Sequence, residues 1–248
     1  MQRRYEKIYS PALDREMDVL AFGHYGAPVI AFPSGGGQFF DFENNDMIAS
    51  IAPLINDGKI KVYCPGSVDN DSWLNAGADP HWRAVHYNQY QHFIIENLVA
   101  TIRFDCNASD IRIGLVGCSL GAFHAVNFAL KFPHIFNYGL GMSGRYDLEQ
   151  IMQAQSGSEE VYFNNPLAYL YNLHDGALEH VRHNTHIALV CGQGAWEEKC
   201  LIETNRLADE LAAKGISHER DIWGHDVEHH WFWWRKQIVH HFGKRYEG

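Results

Sequence analysis

The segment Ile111–Leu130, IRIGLVGCSLGAFHAVNFAL, decides the fold of this chain. Its first six residues are apolar and rich in β-branched side chains, which predicts a buried strand. Its last eleven residues are apolar on most sides and predict a helix enclosed by the rest of the protein. Between strand and helix, Gly117-Cys118-Ser119-Leu120-Gly121 is a G-x-S-x-G motif, so Ser119 occupies a sharp turn.

This turn has the properties of a site for nucleophilic catalysis. A serine on it projects its hydroxyl out of the sheet, and glycines two residues to either side prevent a Cβ from colliding with neighbouring backbone. The N-terminus of the following helix offers unpaired N–H groups and a positive dipole end, which stabilise a carbonyl oxygen that becomes negative. We therefore predict Ser119 to be a catalytic nucleophile.

Composition and charge limit the classes of protein that this chain can belong to. Its 248 residues, 46% of them hydrophobic, are enough for a large core and fit a single α/β domain over residues 1–248. A formal charge of −10 argues against nucleic-acid or anionic-membrane binding. Five cysteines without paired spacing, no apolar signal core near Met1 and no bilayer-length apolar stretch predict a cytoplasmic protein. Nothing in the sequence indicates an oligomeric state.

Predicted strands and helices alternate along the chain. The strands are expected near 4–10, 16–23, 27–32, 60–64, 111–116, 136–142, 186–191 and 220–223. The helices are expected near 44–56, 82–104, 120–130, 201–214 and 230–242. This alternation predicts a mostly parallel sheet covered by helices on both faces.

The stretch 145–182 is longer than a connection between two strands requires. We expect it to form a small cap or pocket wall over the site, because such loops often carry function. Aromatic residues of this region suggest an apolar or sugar-stacking wall, with a role in the core as the alternative. They are Tyr162, Phe163, Tyr169 and Tyr171, and Trp73, outside this stretch, is considered with them.

A serine nucleophile needs a base, and the base needs an orienting acid. In this architecture the chain order is serine, acid, histidine, each after its own strand. The acid should follow strand 186–191, where Glu197 comes early in the loop and Glu198 is placed to begin the next helix. We predict Glu197 as the acid, with Glu198 and Asp147, which follows the preceding strand, as the other candidates.

The base should follow the last strand, in a segment that holds three histidines. His225 is nearest to the strand and would suit a supporting role in the loop. His229 lies where the loop meets the final helix, with three tryptophans close behind it in sequence. We predict His229 as the base, ahead of His225 and then His230.

An oxyanion hole needs two backbone donors. The N–H of Leu120, directly after the nucleophile, should supply one of them. The other should come from Ser34-Gly35-Gly36-Gly37, because glycines let the backbone approach a ligand closely. Of these residues we predict Gly36.

Taken together, these motifs resemble the esterase-D and antigen-85 branch of the α/β-hydrolases, the "putative esterase" family. The resemblance runs through four stretches: Pro33–Gly37, Gly117–Gly121, Cys191–Gly194 and His229–Trp234. The last is similar to the family's pattern of histidine, one residue, tryptophan, two residues, tryptophan, whose first histidine is the catalytic base. The resemblance therefore implies that role for His229.

The same resemblance implies a carboxylate acid on or near Glu197, together with the α/β-hydrolase fold and ester chemistry. Two positions beside the base depart from the family. His230 stands where aspartate or serine is commoner, and Phe232 where proline is frequent. These departures flank the base and do not remove it.

The function predicted is a serine esterase that acts on a small-molecule ester through an acyl-enzyme, without cofactor or metal. An acyltransferase, in which an alcohol replaces water, shares the acyl-enzyme and stays open. A second alternative is a metal site on His225, Asp226, Glu228, His229 and His230, although the chain has no H-E-x-x-H motif. A third is a non-catalytic member of the fold.

Overall fold

A computed structural model describes residues 1–247, and within them eight strands form one sheet. The strands are β1 (Arg3–Ser10), β2 (Arg15–Phe22), β3 (Ala27–Phe32), β4 (Ile60–Pro65), β5 (Ile113–Cys118), β6 (Phe136–Met142), β7 (His186–Cys191) and β8 (His218–Ile222). Their order across the sheet is β1-β2-β4-β3-β5-β6-β7-β8. The pairs β1–β2 and β2–β4 are antiparallel, and all others are parallel. The prediction of a mostly parallel sheet is confirmed.

Helices make the crossovers between the parallel strands. They are α1 (Asp41–Asn44), α2 (Met47–Ser50), α3 (Ala52–Asn56), α4 (Pro80–His92), α5 (Val99–Asp105), α6 (Leu120–Lys131), α7 (Leu148–Met152), α8 (Glu159–Tyr162), α9 (Pro166–Tyr169), α10 (Asp175–Asn184), α11 (Glu198–Ala213) and α12 (Trp231–Tyr246). A 3₁₀ turn, Leu170–Asn172, follows α9. None of the helices within residues 1–247 is both long and apolar enough to cross a bilayer.

Side chains that alternate along the central strands separate into two cores, one on each face of the sheet. Leu115 of β5 joins the first core, where Tyr87 of α4 and Phe123 of α6 are also buried. The next residue, Val116, joins the second core together with Ile238 of α12. Helices therefore cover both faces, as parallel sheets require.

The helix expected near 44–56 is wrong, because the structure divides this segment into α1, α2 and α3. Asp46 adopts a left-handed conformation with φ 58° and ψ 14°, which ends a right-handed helix at that point. Pro53 has no N–H to donate to the preceding turn, so α2 cannot continue through it. The sequence signal was an apolar pattern that ignored both breaks.

The long helix expected at 82–104 is present, with one irregularity. Between α4 and α5 the backbone widens into a π-helical turn, Phe93–Leu98. Five of the helix's apolar residues are fully buried: Tyr87, Tyr90, Ile94, Leu98 and Ile102. The last strand lies slightly earlier than expected, and α12 continues four residues further, to Tyr246.

Candidate active site

Ser119 connects β5 to α6 in a strained conformation, with φ 56° and ψ −119°. A non-glycine residue in such a region costs about 1–3 kcal/mol and persists only where its surroundings hold it. Here the Ser119 N–H donates to the Met142 carbonyl at 2.9 Å, and the Ser119 carbonyl accepts from the Ala122 N–H at 3.1 Å. The sharp strand-to-helix turn expected from the motif is therefore present.

Both glycines of the motif are required by close backbone contacts. A Cβ on Gly117 would lie 2.1 Å from the Gly121 carbonyl oxygen, and a Cβ on Gly121 would lie 2.3 Å from that of Pro33. Neither oxygen belongs to a flexible side chain, so neither can move aside. The strand, the helix and the loop after β3 thus meet at a point where any side chain would separate them.

A cavity of about 440 Å³ opens at the Ser119 turn, within the size range of ligand pockets. Six parts of the chain form its wall: the loop after β3, the loop after β4, the turn itself, the segment 145–153 after β6, the start of α11, and the start of α12 with the residue His229 before it. The lining residues are Ser34, Gly35, Leu74, Ser119, Leu120, Arg145, Gln150, Ile151, Gln153, Lys199, His229, Trp231 and Trp234. The cavity lies at the carboxyl ends of the parallel strands, where ligands bind in open α/β sheets.

His229 and Glu197 meet beside this cavity. The His229 Nδ1 atom lies 3.3 Å from Glu197 Oε2. The His229 side chain is 20% exposed, whereas that of Glu197 is 1% exposed. The His229 N–H donates to the Ala195 carbonyl at 3.0 Å, and the imidazole packs edge-on against Trp234 with ring centroids 4.9 Å apart. A buried carboxylate therefore stands behind an imidazole that reaches the cavity.

The second oxygen of Glu197 is held by a residue that the sequence did not reveal. Ser143 Oγ donates to Glu197 Oε1 at 2.5 Å, and it accepts from Trp234 Nε1 at 2.9 Å. Ser143 is fully buried and directly follows β6. Its only sequence signal was a polar residue at the carboxyl end of a parallel strand. Both oxygens of the buried carboxylate thus have polar partners, as its burial demands.

Two cysteines complete the surroundings of Glu197. Cys191 Sγ lies 3.4 Å from Glu197 Oε2, and Cys200 Sγ lies 3.7 Å from His229 Nδ1. Burial, reinforced by the negative charge of Glu197, raises the pKa of both thiols above the usual range. Both therefore remain neutral thiols near pH 7. All five cysteines of the chain are free.

The metal site considered as an alternative does not assemble. In the part of the chain that the structure describes, two groups of three side chains bring potential ligand atoms within 4.8 Å of one another. One is Glu197, Cys200 and His229, and the other is Asp221, His240 and His241. Of the five residues proposed as ligands from the sequence, only His229 belongs to either group. A metal at His229 would also have to displace the proton of the Cys200 thiol.

The other candidate residues occupy positions with different roles. Glu198 is exposed and begins α11. Asp147 caps α7 by accepting from the Glu149 N–H at 3.2 Å. His225 is exposed, and His230 caps α12 by accepting from the Phe232 N–H at 3.2 Å. None of the four candidates lines the cavity.

Ser119 and His229 share the cavity but are not hydrogen-bonded to each other. Within residues 1–247, the structure records no hydrogen bond between Ser119 Oγ and His229. Catalytic hydrogen bonds are often long in unliganded sites and tighten in the complex with substrate. The geometry therefore brings His229 and Glu197 together directly, and brings Ser119 to the same cavity.

The oxyanion loop differs from expectation at Gly36. The Gly36 N–H points to Asp69 Oδ2 at 3.4 Å, and Gly36 does not line the cavity. Gly35 does line it, facing the side chain of Leu120. In a run of three glycines the sequence cannot indicate which residue lines the cavity, because the choice depends on an acceptor from another loop. Leu120 is placed as expected: at the first position of α6, its N–H has no acceptor within the helix.

A fully buried network supports this loop from behind. Asp69 Oδ1 lies 2.8 Å from His124 Nε2, and His124 Nδ1 lies 3.1 Å from the Tyr87 hydroxyl. His124 lies on α6, five residues after Ser119. The network thus joins α6 to the loop that carries Gly35. No sequence motif indicated this network, because its members come from three separate segments of the chain.

Only the start of the stretch 145–182 reaches the cavity, through Arg145, Gln150, Ile151 and Gln153. The aromatic residues suggested for the pocket wall lie elsewhere, so that suggestion is wrong. Tyr162, Phe163 and Tyr169 line a separate apolar cavity beside Lys131; Tyr171 is largely exposed; Trp73 is fully buried in the first core. Trp73 and Tyr169 belong to the first core, the alternative that the sequence left open, whereas Phe163 and Tyr171 are exposed.

Comparison with known proteins identifies the class. The chain has the α/β-hydrolase fold, and a family model described as "Putative esterase" matches residues 10–244. The chain therefore belongs to this family of esterases, as the sequence resemblance indicated. A search of curated protein sequences returns no match.

Several solved structures share the fold at low sequence identity. A ferulic acid esterase superimposes with a TM-score of 0.79 at 12% identity, covering 99% of this chain and 98% of that one. MPT51 (FbpC1) of Mycobacterium tuberculosis gives 0.73 at 14% identity, covering 97% of each chain. An S-formylglutathione hydrolase from Agrobacterium tumefaciens gives 0.70 at 17% identity, covering 99% and 94%.

Proposed function

We propose that this protein is a serine hydrolase that cleaves carboxylic esters through an acyl-enzyme formed on Ser119, with His229 as base and Glu197 as orienting acid. One observation carries the proposal. A serine on a strained turn shares a cavity with a histidine whose Nδ1 lies 3.3 Å from a buried carboxylate. Five free thiols agree with the reducing, cytoplasmic setting that belongs to this proposal.

In the first half-reaction, Ser119 Oγ attacks the ester carbonyl carbon while His229 Nε2 takes the hydroxyl proton. The Nδ1–H donates to Glu197 Oε2, which fixes the tautomer and stabilises the imidazolium. The carbonyl oxygen becomes negative and accepts from the N–H groups of Leu120 and Gly35. Each such donor is worth about 3 kcal/mol in the transition state.

Collapse of the tetrahedral intermediate breaks the bond to the alcohol oxygen, which takes the proton from His229 Nε2. Water then attacks the acyl-enzyme carbonyl and gives its proton to the same nitrogen. When the second intermediate collapses, Ser119 Oγ leaves and recovers that proton. The acid is released, and the enzyme returns to its starting state.

A fluorophosphonate probe tests the proposal. We expect stoichiometric phosphonylation of the wild type, located on Ser119 by mass spectrometry, and no labelling of Ser119→Ala. Ser109→Ala, which alters an exposed serine in the loop after α5, is the matched control and should be labelled like the wild type. An unlabelled wild type would favour the non-catalytic alternative.

The acceptor in the second half-reaction is tested separately. Products of a 4-nitrophenyl ester are measured with and without an added alcohol. We propose water as the acceptor, so free acid should remain the main product. A new ester as the main product would replace hydrolase by acyltransferase and leave the Ser119 chemistry unchanged.

A further inference from the structure

The charge of the cavity wall contrasts with that of the chain. The chain has 30 acidic and 20 basic residues, excluding histidine. The wall nevertheless contains two cations, Arg145 and Lys199, and no aspartate or glutamate among the residues that the structure describes. Glu197 lies behind His229 and is not part of the wall. An acidic protein thus presents a cationic site beside Ser119.

Both cations have N–H groups for which no hydrogen-bond partner is recorded within residues 1–247. Arg145 donates from Nε to Glu203 Oε1 at 2.8 Å, and no hydrogen bond from its two terminal nitrogens is recorded within residues 1–247. Glu203 also accepts from the backbone N–H groups of Tyr146 and Asp147, which fixes the base of the Arg145 side chain. Lys199 is exposed and has no ion pair or hydrogen bond in the described chain. A guanidinium fork and an ammonium are the groups that bind carboxylates best.

We infer that the ester hydrolysed at Ser119 carries a carboxylate, bound by Arg145 and Lys199 while the scissile carbonyl lies at the nucleophile. This inference rests on the proposed function. Gln150 and Gln153 line the same cavity and add amide donors. Leu74 and Trp231 supply apolar surface for the uncharged part of the substrate.

Two pairs of esters test the inference, each comparing a carboxylate with its uncharged primary amide. The first pair, 4-nitrophenyl hydrogen glutarate and its glutaramate counterpart, carries the group on the acyl side. The second pair, 3-carboxyphenyl acetate and 3-carbamoylphenyl acetate, carries it on the alcohol side. For each ester, kcat/KM is divided by the rate constant for hydroxide-catalysed hydrolysis of the same ester, so that differences in intrinsic reactivity are removed. The pair that shows the preference identifies the side on which the carboxylate lies.

We expect a preference of about tenfold for the carboxylate in at least one pair, because exposed ion pairs change affinity by about two- to fivefold each. Lys199→Gln should reduce the preference about two- to fivefold through KM, and Lys199→Glu should abolish it, because the new carboxylate offsets the remaining attraction of Arg145. Raising the salt concentration from 0.05 to 1 M should weaken it, because the Debye length shrinks to about 3 Å. Lys236→Gln is the control: it makes the same charge change on α12, where the ammonium lies 4.2 Å from the Phe232 ring centroid.

Arg145→Gln is the companion variant, but it also removes the side-chain partner of Glu203. Lys199→Glu decides the outcome alone if Arg145→Gln does not fold. Equal hydrolysis within both pairs, or an unchanged preference in Lys199→Glu, would overturn the inference and leave the esterase proposal intact. Failure to hydrolyse any of the four esters, with no fluorophosphonate labelling, would instead refute the proposed function.

Discussion

Replacing Glu197 by glutamine tests the role of the buried carboxylate with little change of shape. Both carboxylate oxygens accept at present: Oε1 from the Ser143 hydroxyl at 2.5 Å, and Oε2 from His229 Nδ1 at 3.3 Å. A glutamine has only one oxygen, so its NH₂ group must replace one of these acceptors.

Either orientation of the amide has a cost. With NH₂ toward His229, Nδ1 must become the acceptor, and the Nε2 that faces the cavity then carries the proton and cannot take one from Ser119. With NH₂ toward Ser143, the Ser143 hydroxyl has two donors pointing at it, the amide and Trp234 Nε1, and its own hydrogen loses its acceptor. A buried unsatisfied group costs about 1–3 kcal/mol.

We expect kcat to fall by a factor on the order of 10⁴, the loss caused by the wrong histidine tautomer in a Ser-His-Asp protease. That factor corresponds to about 5.4 kcal/mol of transition-state stabilisation. The assay is kcat for 4-nitrophenyl acetate, with circular dichroism and thermal unfolding to establish that the variant is folded.

Glu198→Gln is the matched control, because the adjacent residue is an exposed glutamate at the start of α11. It should retain wild-type kcat. If folded Glu197→Gln keeps more than a tenth of the activity, or if Glu198→Gln loses as much, Glu197 is not the orienting acid.

Three further predictions concern two groups behind the site and Lys131 at the C-terminal end of α6. Ser143→Ala removes a donor to a charged carboxylate, a bond worth about 1.5–3 kcal/mol, so kcat should fall roughly 10- to 100-fold with little change in KM; an equal loss in Ser109→Ala would contradict this. Asp69→Asn removes a charged acceptor from His124 and from the Gly36 N–H, and should lower the free energy of unfolding by about 1.5–3 kcal/mol in urea denaturation; unchanged stability would show that the buried network is not structural. Burial lowers the pKa of Lys131 from 10.5 to about 8, so between these values the unfolded chain binds more protons and stability should rise with pH. Lys131→Met should remove that rise, as seen by comparing urea unfolding at pH 7.5 and pH 10 with Lys236→Met as control; a rise of the same size in both variants would exclude Lys131 as its cause.

The parts of the site that the sequence predicted are those with local patterns. The G-x-S-x-G motif lies between two apolar segments, so the turn at Ser119 followed from residues 111–130 alone. The order of strands then placed the preferred acid and base in two short loops, with Asp147 after another strand as a further candidate for the acid. Within those loops the structure brings Glu197 and His229 into contact. Their catalytic roles remain a prediction.

The parts that the sequence could not predict depend on single contacts between distant segments. Ser143 is one polar residue after an apolar strand, and its bond to Glu197 spans 54 positions. The choice between Gly35 and Gly36 depends on Asp69, 33 positions away from Gly36. Neither contact produces a periodic pattern or a motif. The break of the expected helix at Asp46, by contrast, results from a local backbone conformation that its side chain does not specify.

The contact between Gly121 and Pro33 restricts how esterases of this design can diversify. Because of this contact the Ser119 turn packs directly against the loop after β3. An insertion that displaced either of them would displace the other, and we expect it to abolish turnover. Adaptation to new substrates must therefore proceed through segments outside this contact, namely residues 145–153 and the first turn of α11. Substitutions that change substrate selectivity should accumulate in those segments, while the sequence of the Ser119 turn stays constant.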